Sequence, residues 1–149
     1  MSSPDQIKLK TPLEIGGCEL WPMPSFEDKR GDLMALEFSE DLPFQPQRCF
    51  FVHHVPNDKL RGEHAHKECD QFLVAIHGKL SIMFDDGQNR KDVILDRPST
   101  GLYIPAKVWA TQYNFSSDAV LMVFASHPYE ADDYIREYSE FLKYAQRNN

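Results

Sequence analysis

The strongest constraint on the fold is a series of short, sheet-prone runs broken at intervals by turn residues. Arg48–His54 is rich in aromatic and branched side chains, Phe72–His77 and Leu80–Phe84 flank Gly78, and Val93–Leu95, Gly101–Ile104 and Ala119–Ser126 continue the pattern. Upstream, Gln6–Lys10 alternates, and Leu33–Phe38 follows the turn-forming Arg30-Gly31-Asp32. Asp85-Asp86-Gly87 predicts a hairpin, because glycine adopts a positive φ without steric penalty. Strands this short cannot satisfy their own backbones, so many of them in succession predict a β-sandwich or barrel. The end of the chain breaks the pattern. Tyr134, Ile135, Tyr138, Phe141, Leu142 and Ala145 recur at three- and four-residue steps, which predicts an amphipathic helix over 132–147. Asp132 and Asp133 stand where negative charge favours a helix N-terminus. The expectation is an all-β protein with one C-terminal α-helix.

A chain of 149 residues is sized for one domain, here residues 1–149, with 1–21 as an N-terminal extension or strand. The net charge of -7 argues against nucleic acid or an anionic membrane as partner, because both demand a basic surface. It leaves room for one anionic ligand held by a few local arginines. Cys18, Cys49 and Cys69 are odd in number and form no CxxC pair, so they predict free thiols. No basic-then-apolar leader opens the chain, and no run approaches the length of a membrane span. A reduced, cytoplasmic protein is expected.

The segment richest in chemistry is Arg61-Gly62-Glu63-His64-Ala65-His66, continuing through Gln71 to Gly78. In an extended strand, residues two apart share a side, so His64 and His66 are expected to enter one cavity together. The spacing resembles the first motif of the cupin superfamily, His-x-His followed by a glutamate and a glycine, with Gln71 at the glutamate position. Pro105-x-x-x-x-Ala110-x-x-x-Asn114 resembles the second motif, with Ala110 where a histidine would stand. Two of the four usual metal ligands are therefore missing. A transition metal normally takes three or more protein ligands, often with a carboxylate or thiolate among them. Two imidazoles and an amide oxygen are a weak set, so no metal is expected. Both imidazoles remain free to carry protons near neutral pH. His53, His54, His77 and His127 are isolated and are assigned no role.

Further motifs sharpen the resemblance. Arg30-Gly31, Arg61-Gly62-x-His64-Ala65-His66, Asp85-Asp86-Gly87, Gly101-Leu102-Tyr103, Val108-Trp109, Phe115-Ser116-Ser117-Asp118 and Asp133-Tyr134-Ile135-Arg136 together resemble the dTDP-sugar 3,4-ketoisomerases, a group of WxcM-like cupins, from about Pro22 to Tyr144. The resemblance implies a cupin barrel, that is, a double-stranded β-helix or jelly roll. It implies an isomerase that needs no cofactor and acts on dTDP-4-keto-6-deoxyglucose. The ketone would move to C3, on the way to a 3-amino sugar of the Fuc3N or Qui3N type for a surface polysaccharide such as the O-antigen of lipopolysaccharide. It also implies a homodimer with exchanged N-terminal strands. Ala110 departs from the pattern, because some members carry a histidine there.

The C3 proton of such a substrate is acidified by the C4 ketone, so a base can remove it and leave an enediolate. On the resemblance, His66 is the expected carbon base and His64 moves protons between the oxygens; two such imidazoles lie roughly 6–7 Å apart along a strand and can span an enediol. Gln71 is a candidate donor to the developing oxyanion. Arg48, Arg61 and Arg30 are candidate partners for the diphosphate. Trp109 and Tyr113 are candidates to line the pocket or stack on thymine. Three alternatives stand beside this reading: a metal-dependent cupin enzyme, a non-catalytic nucleotide-sugar-binding cupin, and an epimerase of the same keto sugar. The last would be expected to use a histidine–aspartate dyad with a tyrosine acid, a set without an evident place in the sequence.

Overall fold

A computed structural model of the chain describes residues 7–147. Its strands are β1 (Thr11–Pro12), β2 (Glu19–Pro22), β3 (Ser25–Asp28), β4 (Gly31–Met34), β5 (Arg48–His53), β6 (Arg61–His66), β7 (Gln71–His77), β8 (Leu80–Asp85), β9 (Arg90–Leu95), β10 (Thr100–Ile104), β11 (Trp109–Tyr113), β12 (Val120–Ala125) and β13 (Tyr134–Ile135); helix α1 is Tyr138–Arg147. One sheet has the order β1-β2-β10-β7-β12-β5 and the other β13-β6-β11-β8-β9, while β3 and β4 form a separate hairpin. The pairings are antiparallel throughout. This is the cupin fold, two facing sheets in which most neighbouring strands are not consecutive in the chain.

The alternation of side chains decides what faces what. Along β7, Leu73 and Ala75 enter the main core with Leu80, Ile82, Phe84, Leu102, Leu121 and Val123. Phe72 and Val74 point the other way, into a second cluster with Trp21, Met23, Leu42 and Phe124. The main core therefore lies between the sheets, and the 34–44 segment lids the outer face of one of them through Met34, Leu36, Leu42 and Phe44. The helix covers the outer face of the other sheet, where Phe141 and Ala145 pack on Ala65, Trp109 and Ile135.

Several boundaries differ from the sequence expectation. Residues 7–10 are not a strand and Gln6 lies outside the described residues; the first pairing is Thr11–Pro12 on β2. The pairing of Leu33–Phe38 stops at Met34, where the chain leaves its hairpin. Glu19–Pro22 and Trp109–Tyr113 are strands that periodicity did not reveal, since Trp and Tyr on β11 serve an outer face while Ala110 and Gln112 face inward. The helix starts at Tyr138 rather than 132. Asp132 and Asp133 end a short 3-10 turn over Ala131–Asp133, and Tyr134 and Ile135 pair with His66 and Ala65 on β6. The aspartates do not cap the helix, because Asp133 is needed elsewhere.

Candidate active site

His64 and His66 project from β6 to the same side. Their ring centroids are 4.8 Å apart with planes at 89°, and Ala65 between them is buried under the helix on the opposite face. The two imidazoles differ in setting. His64 lines a cavity of about 520 Å³ between the sheets, a size within the usual range for small-ligand sites. His66 is 5% exposed and lies behind it. Its Nδ1–H donates to Asp133 Oδ2 at 2.8 Å. Asp133 Oδ1 accepts from the Glu68 amide at 2.7 Å, and Oδ2 accepts from the Cys69 amide at 3.3 Å. Those bonds fix the carboxylate, which in turn fixes the tautomer and tilt of His66 and leaves its Nε2 as a free acceptor. That Nε2 is buried without a hydrogen-bond partner among the described residues.

Burial lowers the basicity of both rings. It pushes His64 down to about 3, reinforced by neighbouring His66, Arg136 and Arg48 and opposed by Asp133. His66 is also lowered by burial, with the Asp133 hydrogen bond working the other way. For Asp133, burial raises the carboxyl, but the bonds from His66 and the Glu68 amide outweigh it and hold the group below its ordinary value. Both imidazoles are consequently neutral at pH 7, the form in which a ring accepts a proton.

Tyr134 packs on both rings, with centroids 4.9 Å from His64 and 4.5 Å from His66. The Arg136 guanidinium lies 4.3 Å over the Tyr134 ring, and Tyr129 is 5.5 Å from it. Arg48, Arg61, Arg136, Gln71, Gln112, Tyr129 and Tyr134 all line the cavity with His64. Arg48 reaches over Phe50 and Tyr129, and its Nε is buried without a partner among the described residues. The strand carrying the histidines is irregular here. Ala110 pairs with His64, but Gln112 pairs with Arg61. The extra residue is a β-bulge, made possible by Gly62 at φ +64, a conformation that bulges reserve for glycine.

Of the residues singled out in the sequence, His64, His66, Gln71, Arg48 and Arg61 are gathered at this cavity. Trp109 and Tyr113 are not. Trp109 faces outward and packs on Tyr138 and Phe141 at 5.4 and 5.9 Å between centroids. The Tyr113 hydroxyl donates to Asp92. Strand alternation explains both: the inward residues of β11 are Ala110 and Gln112. Arg30 also lies away from the cavity, at the turn of the β3–β4 hairpin and ion-paired to Asp28 at 2.7 Å. Asp133, Tyr134, Arg136, Tyr129 and Gln112 were missed as site residues. Asp133-Tyr134-Ile135-Arg136 is visible as a motif, but the helical period of the sequence assigns Asp133 to the start of a helix. The histidine–aspartate dyad that the sequence did not place is His66–Asp133, with Tyr134 beside it.

The cupin metal position does not fit a metal. Ala110 contributes a methyl group opposite His64 and Gln71 an amide, so the position offers two imidazoles and an amide oxygen, a poorer set than the three or more protein ligands, often with a carboxylate or thiolate, that a transition metal normally takes. His66, Cys69 and Asp133 do place ligand atoms within 4.8 Å of one another, but that carboxylate is held by the imidazole and two amides. The cavity is better suited to proton transfer beside a bound anion, with three arginines on its walls in a chain of net charge -7.

Fold and site together define a cupin with two histidines side by side at its cavity in place of a full metal-ligand set. Comparison with known proteins narrows this. The chain belongs to the FdtA family, described as WxcM-like, C-terminal, whose profile matches residues 16–146. It is 40% identical, over 122 residues covering 82% of this chain and 88% of the relative, to the TDP-4-oxo-6-deoxy-alpha-D-glucose-3,4-oxoisomerase of Aneurinibacillus thermoaerophilus. A 3,4-ketoisomerase from Helicobacter canadensis superposes with a TM-score of 0.84 at 39% identity, covering 87% of this chain and 97% of that one. A variant of the 3,4-ketoisomerase QdtA from Thermoanaerobacterium thermosaccharolyticum, in complex with TDP-4-keto-6-deoxyglucose, superposes with a TM-score of 0.85 at 33% identity, covering 87% and 94%.

Proposed function

We propose that the protein is a sugar 3,4-ketoisomerase that converts TDP-4-keto-6-deoxyglucose to the 3-keto isomer by histidine acid–base chemistry. One observation carries the mechanism: two imidazoles share one side of β6, one on the cavity wall and one backed by Asp133. The substrate is that of the relatives named above. The alternative of an epimerase draws no support from the dyad alone, since relatives above 30% identity are ketoisomerases.

The reaction moves two hydrogens between neighbouring atoms. A base takes the proton from C3, giving an enediolate. A proton is returned at C4, while O3 loses its proton to become the ketone oxygen and O4 gains one to become the hydroxyl. Here the placement favours the reverse of the order expected from sequence. His64 borders the cavity and is the better placed to meet the carbon, and His66 with Asp133 stands behind it to exchange protons. Gln71 faces inward from β7 and can donate to the oxyanion. Arg48, Arg61 and Arg136 are proposed for the diphosphate, and Tyr129 for the base.

Within the same reading the protein works as a homodimer that exchanges N-terminal strands. Supporting this, Phe26 and Leu33 face each other across the β3–β4 hairpin yet are 63% and 62% exposed. Phe51, on the edge strand β5, is 54% exposed. Apolar pairs on a free hairpin and an open sheet edge call for a covering partner. Exchange carries Arg30 onto the second copy. A cytoplasmic location fits the free cysteines Cys18, Cys49 and Cys69, and no helix among the described residues is long and apolar enough to cross a membrane. The 3-keto product is suited to transamination toward a 3-amino sugar.

The function is tested by incubating purified protein with TDP-4-keto-6-deoxyglucose and following product by NMR. A 3-keto sugar is expected; an unchanged substrate, or inversion at C3 or C5 without movement of the ketone, refutes the reading.

A further inference from the structure

Gln112 is a cavity group that the mechanism leaves unused. It is 8% exposed and lines the same cavity as His64, and its Oε1 is buried with no hydrogen-bond partner among the described residues. A buried carbonyl without a donor is costly, so a native site that keeps one is built to receive a donor from outside. The side-chain amide lies against the bulge. A Cβ on Gly62 would fall 2.8 Å from Gln112 Nε2 and 3.1 Å from Cδ, so glycine at 62 gives the amide its space.

Position along the strands says what the donor is. His64 pairs with Ala110, and Gln112 pairs with Arg61, beyond the bulge. On the proposed function, His64 meets C3 and Arg61 takes part in holding the diphosphate attached to C1. The sugar carbon between them is C2, which bears a hydroxyl. We propose that Gln112 is a specificity-determining residue that accepts a hydrogen bond from the C2 hydroxyl of the hexose, selecting 2-hydroxy over 2-deoxy nucleotide sugars. It also steadies the ring with C3 toward His64. Gln112 touches neither reacting carbon, so its effect is on recognition and alignment.

The test is a thermodynamic cycle that does not require turnover. Binding of TDP-glucose and TDP-2-deoxyglucose is measured by calorimetry for the wild type and for Gln112→Met, which keeps the length and bulk of the side chain. TDP alone serves as the control for folding and for the diphosphate site. The wild type is expected to prefer the 2-hydroxy sugar by about tenfold, the usual effect of one buried hydrogen bond. Gln112→Met is expected to lose that preference and bind TDP as before. A variant that retains the full preference overturns the proposal, as does a wild type with no preference. Should Gln112→Met fail to bind TDP, Gln112→Glu, which keeps an acceptor, must restore both TDP binding and the preference; otherwise the residue is a packing element and the proposal is wrong. Failure of the isomerase reading is separate: there the wild type binds the sugars but moves no ketone.

Discussion

On the proposed function, His64 and His66 divide the labour of proton transfer. Replacing His64 with Asn should lower kcat by at least about 10²–10⁴-fold, the usual worth of one acid–base group, with TDP binding by calorimetry unchanged. Asp133→Asn should cost less, about tenfold to a hundredfold, by freeing the tautomer of His66; a variant with wild-type kcat and an unaltered pH profile would show that the dyad is only packing. The histidines also fix the response to acid. An imidazole kept below its ordinary value binds fewer protons folded than unfolded. Stability from His64 is therefore complete above about pH 6.5 and drains away as pH falls toward about 3. Thermal melts from pH 7.5 to 4 should show a declining Tm whose slope is reduced in His64→Asn, and kcat/KM of the free enzyme should lack an acid limb near 6.5. The histidine pair was legible because a strand repeats every two residues. Asp133 was not legible as their partner, since nothing local to β6 names a residue 67 positions away. Trp109 and Tyr113 misled for a related reason: aromatic character does not say which face of β11 is the inner one.

The elements that hold these residues are β6 with its bulge, β11, and the segment that joins β12 to the helix. The short pairing of Tyr134 and Ile135 with His66 and Ala65 delivers Asp133 to His66, and α1 locks that segment down. Tyr138 donates to Asp85 Oδ2 at 2.6 Å, where Arg90 also binds at 3.1 Å, and Phe141 is fully buried beneath the sheet. Phe141→Ala should destabilise the protein by about 3–5 kcal/mol, read as a lower urea midpoint, and should loosen the dyad along with the helix. Tyr138→Phe should cost about 1 kcal/mol and leave kcat nearly intact. The central strands and the Asp85-Asp86-Gly87 turn were readable from sequence; Gly87 does take φ +95. The helix was readable as an amphipathic stripe, but not its start. Tyr134 and Ile135 satisfy both a helical period and a two-residue strand, and only the presence of β6 alongside decides for the strand.

For the molecule as a unit, an all-β sandwich or barrel was accessible from the succession of short strands, and the cupin class and finer family only from the histidine segment and the other motifs held in common. How copies assemble was not, because exposure on a hairpin is a property of the folded surface. Phe26→Ser combined with Leu33→Ser should yield monomers in light scattering if the β3–β4 hairpin is the exchanged arm; an unchanged mass would remove that role. The central claim is that a metal-independent histidine pair takes a proton from C3 of a keto sugar and returns one, exchanged with solvent, at C4. Its most direct measurement is NMR of TDP-4-keto-6-deoxyglucose incubated with chelator-treated protein in D₂O. The expected result is a 3-keto product bearing deuterium at C4, formed by wild type and not by His64→Asn. A product that appears only when a divalent metal is restored, or that forms at wild-type rate without His64, would contradict it.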